Sequence, residues 1–141
     1  MIGTTGFMDE ENFQEVADRI ELMFRGKRLA FMQTNDKYFP PDLEPGCTLE
    51  SVSALRSLKR MAVQVTLVIT LPNGRRQGLF IESSTDTNEC AHTRFSFRDG
   101  ALFTLPRTVP GYGPQRYIWI KLDEQAEEKK DNLLLAMGSR R

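Results

Sequence analysis

The sequence predicts an α+β fold: a mostly antiparallel, twisted sheet or small β-barrel of five to six strands, with N-terminal and C-terminal flanking helices. Three observations carry this. Val63, Val65, Leu67, Ile69 and Leu71 alternate with Ala62, Gln64, Thr66, Val68 and Thr70, the period of two that marks a strand. Asn73-Gly74 and Asp99-Gly100 each separate two such runs, as hairpin turns do. Near the N-terminus, Phe13, Val16, Ala17, Ile20, Met23 and Phe24 recur at three- and four-residue spacing, one apolar stripe of a helix that packs on a core. A chain of 141 residues, 40% apolar and 27% charged, fits one globular domain that needs neither disulfide nor metal. The expected layout is a helix over 9–25, a β-rich body over 28–122 and a C-terminal helix over 123–137.

In chain order, Asp9 is a candidate N-cap with acids in the first turn behind it, and Gly26 is a natural stop. A short strand follows from Arg28 to Gln33. NDKYFPPDLEPG is a loop, because tandem prolines and a Pro-Gly continue neither helix nor strand. Thr48 can cap a second helix to about Leu58, with Leu49, Val52, Leu55 and Leu58 on one side, although its serines and β-branched Val52 are poor helix formers. After the strand over 62–71, a two-residue type I′ turn at Asn73-Gly74 would set Leu71 opposite Arg76, Ile69 opposite Gly78 and Leu67 opposite Phe80. That register puts Phe80 on the aliphatic face. SSTDTNEC is a polar loop. Arg94 to Arg98 is a strand with Phe95 and Phe97 on one face and Arg94, Ser96 and Arg98 on the other. ALFTL is its partner, PRTVPGYGP a second irregular loop, and RYIWIKL a last strand apolar enough on both faces to be well covered. Asp123 can cap the final helix, which ends in Leu133, Leu134, Leu135 and Met137. Closing the meander into a barrel would remove its edges; a sheet with helices on one face is the other arrangement.

The net charge of +0 conceals an asymmetry. Residues 1–50 carry ten acids and five bases, whereas residues 51–122 carry four acids and ten bases. A sequence pI near 6.6 argues against wholesale coating of nucleic acid, but leaves room for a local basic surface on the middle segment. The longest apolar run falls well short of the ~20 residues that span a bilayer. MIGTTGFMDEE has neither a basic nor an apolar signal region, and position 2 is not the glycine that N-myristoylation needs. The expectation is a cytoplasmic protein without membrane contact, its Cys47 and Cys90 free thiols.

Catalytic chemistry finds little footing. His92, the one histidine, lies near Cys90 in a polar loop, where a surface role-free histidine is the simpler reading. One histidine and two distant cysteines do not make a metal site. Carboxylate pairs such as Asp9 with Glu11 and Glu127 with Glu128 look like solvated helix ends, and no glycine-rich phosphate loop is present. The sequence therefore predicts no enzyme, no metal and no cofactor.

Anion binding has more to recommend it. Arg56, Lys59 and Arg60 precede the clearest strand, and about twenty residues later the hairpin's second strand ends in FIESSTDT, which would face the arginines if the return brings the two segments together. Arginine's planar fork suits phosphate, so Arg56, Arg60, Arg75, Arg76 and Ser84 form a candidate ligand set. The plainer reading is that RSLKR ends a helix, where cations favour the negative dipole end. These residues also carry a resemblance. Arg56 to about Leu122 resembles a PilZ domain, a bacterial β-barrel receptor for cyclic di-GMP. R56-S-L-K-R60 is similar to that family's RxxxR before the first strand, and E82-S-S-T-D-T87 stands where a [DN]xSxxG motif follows the second. Ser84 fits, while Glu82 and Thr87 replace the acid or amide and the glycine. The resemblance implies a barrel and a degenerate dinucleotide site, one able to bind a protein partner instead.

RNA is a further candidate ligand, although Phe95 and Phe97 alternate with Arg94 and Arg98, which sends rings and charges to opposite faces. Tyr112, Tyr117 and Trp119 lie nearby in the sequence, but core packing accounts better for those rings. Docking is the favoured reading. Leu133, Leu134, Leu135 and Met137 cannot all face one way on a helix, and the loops over 34–47 and 106–115, with Tyr38, Phe39 and Tyr112, can form a recognition edge. The sequence thus points to a non-enzymatic regulatory or adaptor module that binds a protein partner or a second copy of itself. A binder of a phosphorylated ligand or RNA through an arginine-rich rim is the alternative.

Overall fold

The computed structural model describes residues 3–34, 46–85, 92–106 and 117–123. Eight strands and one helix occupy them: β1 (Thr5–Phe7), α1 (Phe13–Phe24), β2 (Arg28–Thr34), β3 (Cys47–Ser57), β4 (Ala62–Thr70), β5 (Arg76–Ser84), β6 (Thr93–Arg98), β7 (Ala101–Pro106) and β8 (Ile118–Leu122). The strands form one antiparallel sheet in the order β1-β6-β7-β8-β2-β3-β4-β5. Helix α1 packs on β3 and β4, and its stripe of Val16, Ala17, Ile20 and Phe24 is buried as the spacing predicts. We call this helix-covered side the inner face. It buries Leu49 of β3, Val63 to Ile69 of β4 at alternate positions, Leu79 and Ile81 of β5, Phe95 and Phe97 of β6, Leu102 of β7, and Ile118 and Ile120 of β8.

The helix starts three residues later than expected. Asp9 does not cap it directly; its carboxylate accepts the N–H groups of Glu11 and Asn12 in a turn that precedes Phe13. At the other end Gly26, with φ of 73°, donates to the Leu49 carbonyl at 2.7 Å and hands the chain on to β2.

Residues 47–57 form a strand, not the helix expected from Thr48 to Leu58. Leu49 and Val52 do share a face although three residues apart, but a β-bulge between Leu49 and Ser51 causes this. The inserted residue puts Leu49 opposite Ile69 and Val52 opposite Leu67, both on the inner face. Beyond the bulge the period of two resumes, so Leu55 points out at 58% exposure, and Leu58 lies in the turn at 85%. A spacing of three thus imitated a helix.

The β4–β5 hairpin corrects a second expectation. Thr70 lies opposite Arg76, Leu67 opposite Leu79 and Thr66 opposite Phe80, one residue away from the expected register. Pro72 is the reason. A two-residue turn at Asn73-Gly74 would need the N–H of Pro72, which proline lacks. Instead Leu71 donates to the Arg75 carbonyl at 2.8 Å, and Gly74 donates back to the Leu71 carbonyl at 2.9 Å. Pro72-Asn73-Gly74 is a three-residue loop with Gly74 at φ 84°, the left-handed residue such loops use. A one-residue shift reverses every side chain, so Phe80 faces outward at 46% exposure. Asp99-Gly100 has no proline before it and behaves as expected: both residues take positive φ, 52° and 72°, and Arg98 lies opposite Ala101.

The sheet is open, not a barrel. It curls until the Thr93 N–H reaches Ser83 Oγ at 2.9 Å and Thr93 Oγ1 reaches the Glu82 carbonyl at 2.6 Å. β6 already carries β7 on one side and β1 on the other, so its main chain has no further ladder to offer β5. The expected helix over 123–137 lies outside the described residues from 124 onward. β1 was not foreseen; it is three residues long and too short to show a period. Cys47 is buried, and burial pushes its thiol pKa up; Cys90 lies outside the described residues.

Candidate functional site

The candidate anion residues do not converge. Arg56, next to last in β3, lies opposite Val63 on the inner face and pairs with Glu10 just before α1. Arg60 sits in the β3–β4 turn and pairs with Glu82 on the outer face at 3.3 Å. Glu82 also accepts Gln64 Nε2 at 2.6 Å. Arg75 and Arg76 lie at the opposite end of the β4–β5 hairpin, eight positions and roughly 27 Å from Ser84 at strand spacing. Arg76 pairs there with Glu50 at 3.0 Å, and Glu50 also accepts the Thr70 hydroxyl at 2.9 Å. Three of the four arginines therefore meet carboxylates of the protein itself. Lys59 is exposed in the turn.

Tyr38, Phe39, Tyr112, Leu133, Leu134, Leu135 and Met137, proposed for a protein partner, lie outside the described residues, as do most of the two long loops. His92 is buried at 7% exposure, contrary to the expected surface position. No group of His, Cys, Asp and Glu among the described residues could hold a metal ion.

A different surface emerges on the outer face of β1, β6, β7 and β8. Its register forms three rungs across the strands. Thr5, Ser96, Phe103 and Trp119 make the central one. Phe7, Arg94 and Leu105 lie on one side of it; Arg98, Ala101 and Lys121 lie on the other. Adjacent rungs are about 7 Å apart, two residues along each strand. Phe103 and Trp119 meet edge to face, their ring centroids 6.5 Å apart. They remain 37% and 39% exposed, and Leu105 is 47% exposed. A cavity of about 310 Å³ lies between Arg94, Arg98, Phe103 and Leu105, with Thr5, Ser96 and Phe95 completing its lining.

The charge of this surface is one-sided. Arg94, Arg98 and Lys121 are exposed, and among the described residues none forms an ion pair. The four strands contain no Asp or Glu. Asp123, just past β8, lies 3.7 Å from Arg28. The strand RYIWIKL is thus not covered on both faces: Ile118 and Ile120 are buried, while Trp119 and Lys121 point outward.

Phe95 and Phe97 are buried and Arg94 and Arg98 exposed, so their separation within β6 is as the alternation predicts. Sequence reasoning missed Phe103, and named Trp119 only as a ring near the arginines without its place on this face. Phe103 was within reach: the Asp99-Gly100 turn pairs Arg98 with Ala101, and counting back places Phe103 beside Ser96 on the arginine face. Trp119 was not, because the long segment before β8 leaves its register unspecified.

Comparison of the chain with protein-family models, with curated proteins and with solved structures gives no match.

Proposed function

We propose that this protein is a non-enzymatic binding module, and that its ligand is single-stranded nucleic acid laid across the outer face of β6, β7 and β8. The observation that carries this reading is the central rung: two exposed rings with cations on both sides and no carboxylate in the same strands. Single-strand binders combine these features. Unpaired bases stack on aromatic side chains, at about 1–3 kcal/mol per base, while Arg and Lys track the phosphates. The hydroxyls of Thr5 and Ser96, 3.4 Å from each other, supply polar groups beside the rings. A docking surface for an acidic segment of another protein would share the cations but has no need of stacked rings.

The test is fluorescence anisotropy with a labelled, uridine-rich RNA of about 12 nucleotides, a single-strand site size. The expected result is binding that weakens with salt at a slope of about −2 in log–log form, three cations at about 0.7 each. Competition by single-stranded DNA but not by polyglutamate supports the reading. Polyglutamate competing as well as RNA, or the absence of binding at low salt, refutes it.

A further inference from the structure

The far edge of the sheet, formed by β5, lies apart from the ligand face. β5 has β4 on one side and, among the described residues, no strand on the other. Its ladder with β4 runs without a bulge from Thr70 opposite Arg76 to Ala62 opposite Ser84. Its sequence, RQGLFIESS, has no proline and no lysine. Apart from the charges of Arg76 and Glu82, the described residues give β5 none of the usual protections of an edge strand. Alternation from the Leu71–Arg75 hydrogen bond directs the main-chain groups of Gln77, Leu79 and Ile81 to β4, and those of Gly78 and Phe80 to the open edge. At Glu82 the edge is already taken, where its carbonyl accepts Thr93 Oγ1.

We propose that β5 pairs antiparallel with β5 of a second copy, about a two-fold axis at Leu79. Two matches select this register. Arg76, beside Glu50 of its own chain, falls opposite Glu82 of the second copy, which is beside that copy's Arg60, and the four charges alternate along the seam; Gly78 falls opposite the second copy's Phe80, and all of these β5 residues point to the outer face. The exposed Phe80 ring already lies against its own Gly78, where an added Cβ would sit 3.5 Å from the ring, so the glycine row accommodates rings from both copies. Moving the axis to Phe80 would set ring against ring and Gly78 against Glu82, losing the charge match. Gly78 and Phe80 of the two copies exchange about four main-chain hydrogen bonds, which join the two sheets into one. The interface is small and the dimer correspondingly weak. The faces bearing Phe103 and Trp119 lie across the sheet and stay open in both copies.

Sedimentation equilibrium without nucleic acid, from about 10 μM to about 1 mM, reads this directly as a concentration-dependent mass. A monomer–dimer equilibrium is expected for the wild type. Phe80→Lys should be monomeric throughout with an unchanged Tm, since its ring lies outside the core. Arg76→Glu and Glu82→Arg should each weaken the dimer at least about tenfold by setting like charges opposite each other, and the double variant should recover most of the affinity. A wild type that stays monomeric, a dimer that survives Phe80→Lys, or a double variant no better than the single ones would overturn the proposal.

Discussion

On the β3–β4–β5 half of the outer face, Arg60 and Arg76 each lie against a carboxylate, Glu82 and Glu50, among serines and threonines. On the β6–β7–β8 half of the same sheet, Arg94, Arg98 and Lys121 have rings and hydroxyls for neighbours. The two halves show that clustering of cations in sequence is a poor guide to their availability. Arg56 and Arg60 are four residues apart yet end on opposite faces, each with a glutamate. Arg94 and Arg98 are equally spaced, but in an uninterrupted strand, so they share a face whose strands contain no acid. A cation near a glutamate is already partly satisfied. One without a partner keeps its full charge for a ligand.

The largest expected effect separates the halves by charge. Arg94→Ala with Arg98→Ala should weaken RNA binding by about 100-fold at low salt, at roughly 1.5 kcal/mol for each charge-assisted contact. The salt slope should fall by about 1.4. Anisotropy across a salt series measures both. Next comes Phe103→Ala. Loss of stacking should cost about tenfold in affinity while leaving the salt slope unchanged, which distinguishes a ring contact from a charge contact. The control half should be silent: Arg60→Ala with Arg76→Ala should leave RNA affinity unchanged. Each should alter stability in urea melts by less than about 1 kcal/mol, as exposed ion pairs do. If that pair of substitutions weakens binding as much as the first pair, the distinction between the halves fails.

A fourth prediction sharpens the register that puts Phe80 outside. Deleting Pro72 leaves Asn73-Gly74 as a two-residue turn with Leu71 still facing Arg75. The hairpin should survive with a Tm within about 5 °C of the wild type. Collapse of the fold would mean that the proline does more than lengthen the turn.

The sequence made much of the inner face legible and little of the outer one, for physical reasons. Burial enforces period, so the α1 stripe, the alternation of β4 and the inward turn of Phe95 and Phe97 could all be read directly. The outer face is set by register, and register depends on single residues. Pro72 moved Phe80 from one face to the other, and the bulge after Leu49 gave β3 the spacing of a helix. The PilZ resemblance rested on Arg56, Arg60 and the segment from Glu82. The fold places the two arginines on opposite faces and pairs Arg60 with Glu82 itself. Of the functional surface now proposed, the arginine row of β6 was visible from its alternation. Trp119 joined it only through the pairing of β7 with β8, a long-range contact with no local signal.

The division of the outer face is tested most directly by mapping backbone amide shifts in ¹⁵N-labelled protein titrated with a single-stranded uridine-rich RNA. The account predicts shifts concentrated at Arg94–Arg98, Ala101–Leu105 and Trp119–Lys121, with Ser51–Leu55, Gln64–Thr70 and Arg76–Glu82 unmoved. Shifts confined to the latter set, or spread evenly over both halves, would contradict it.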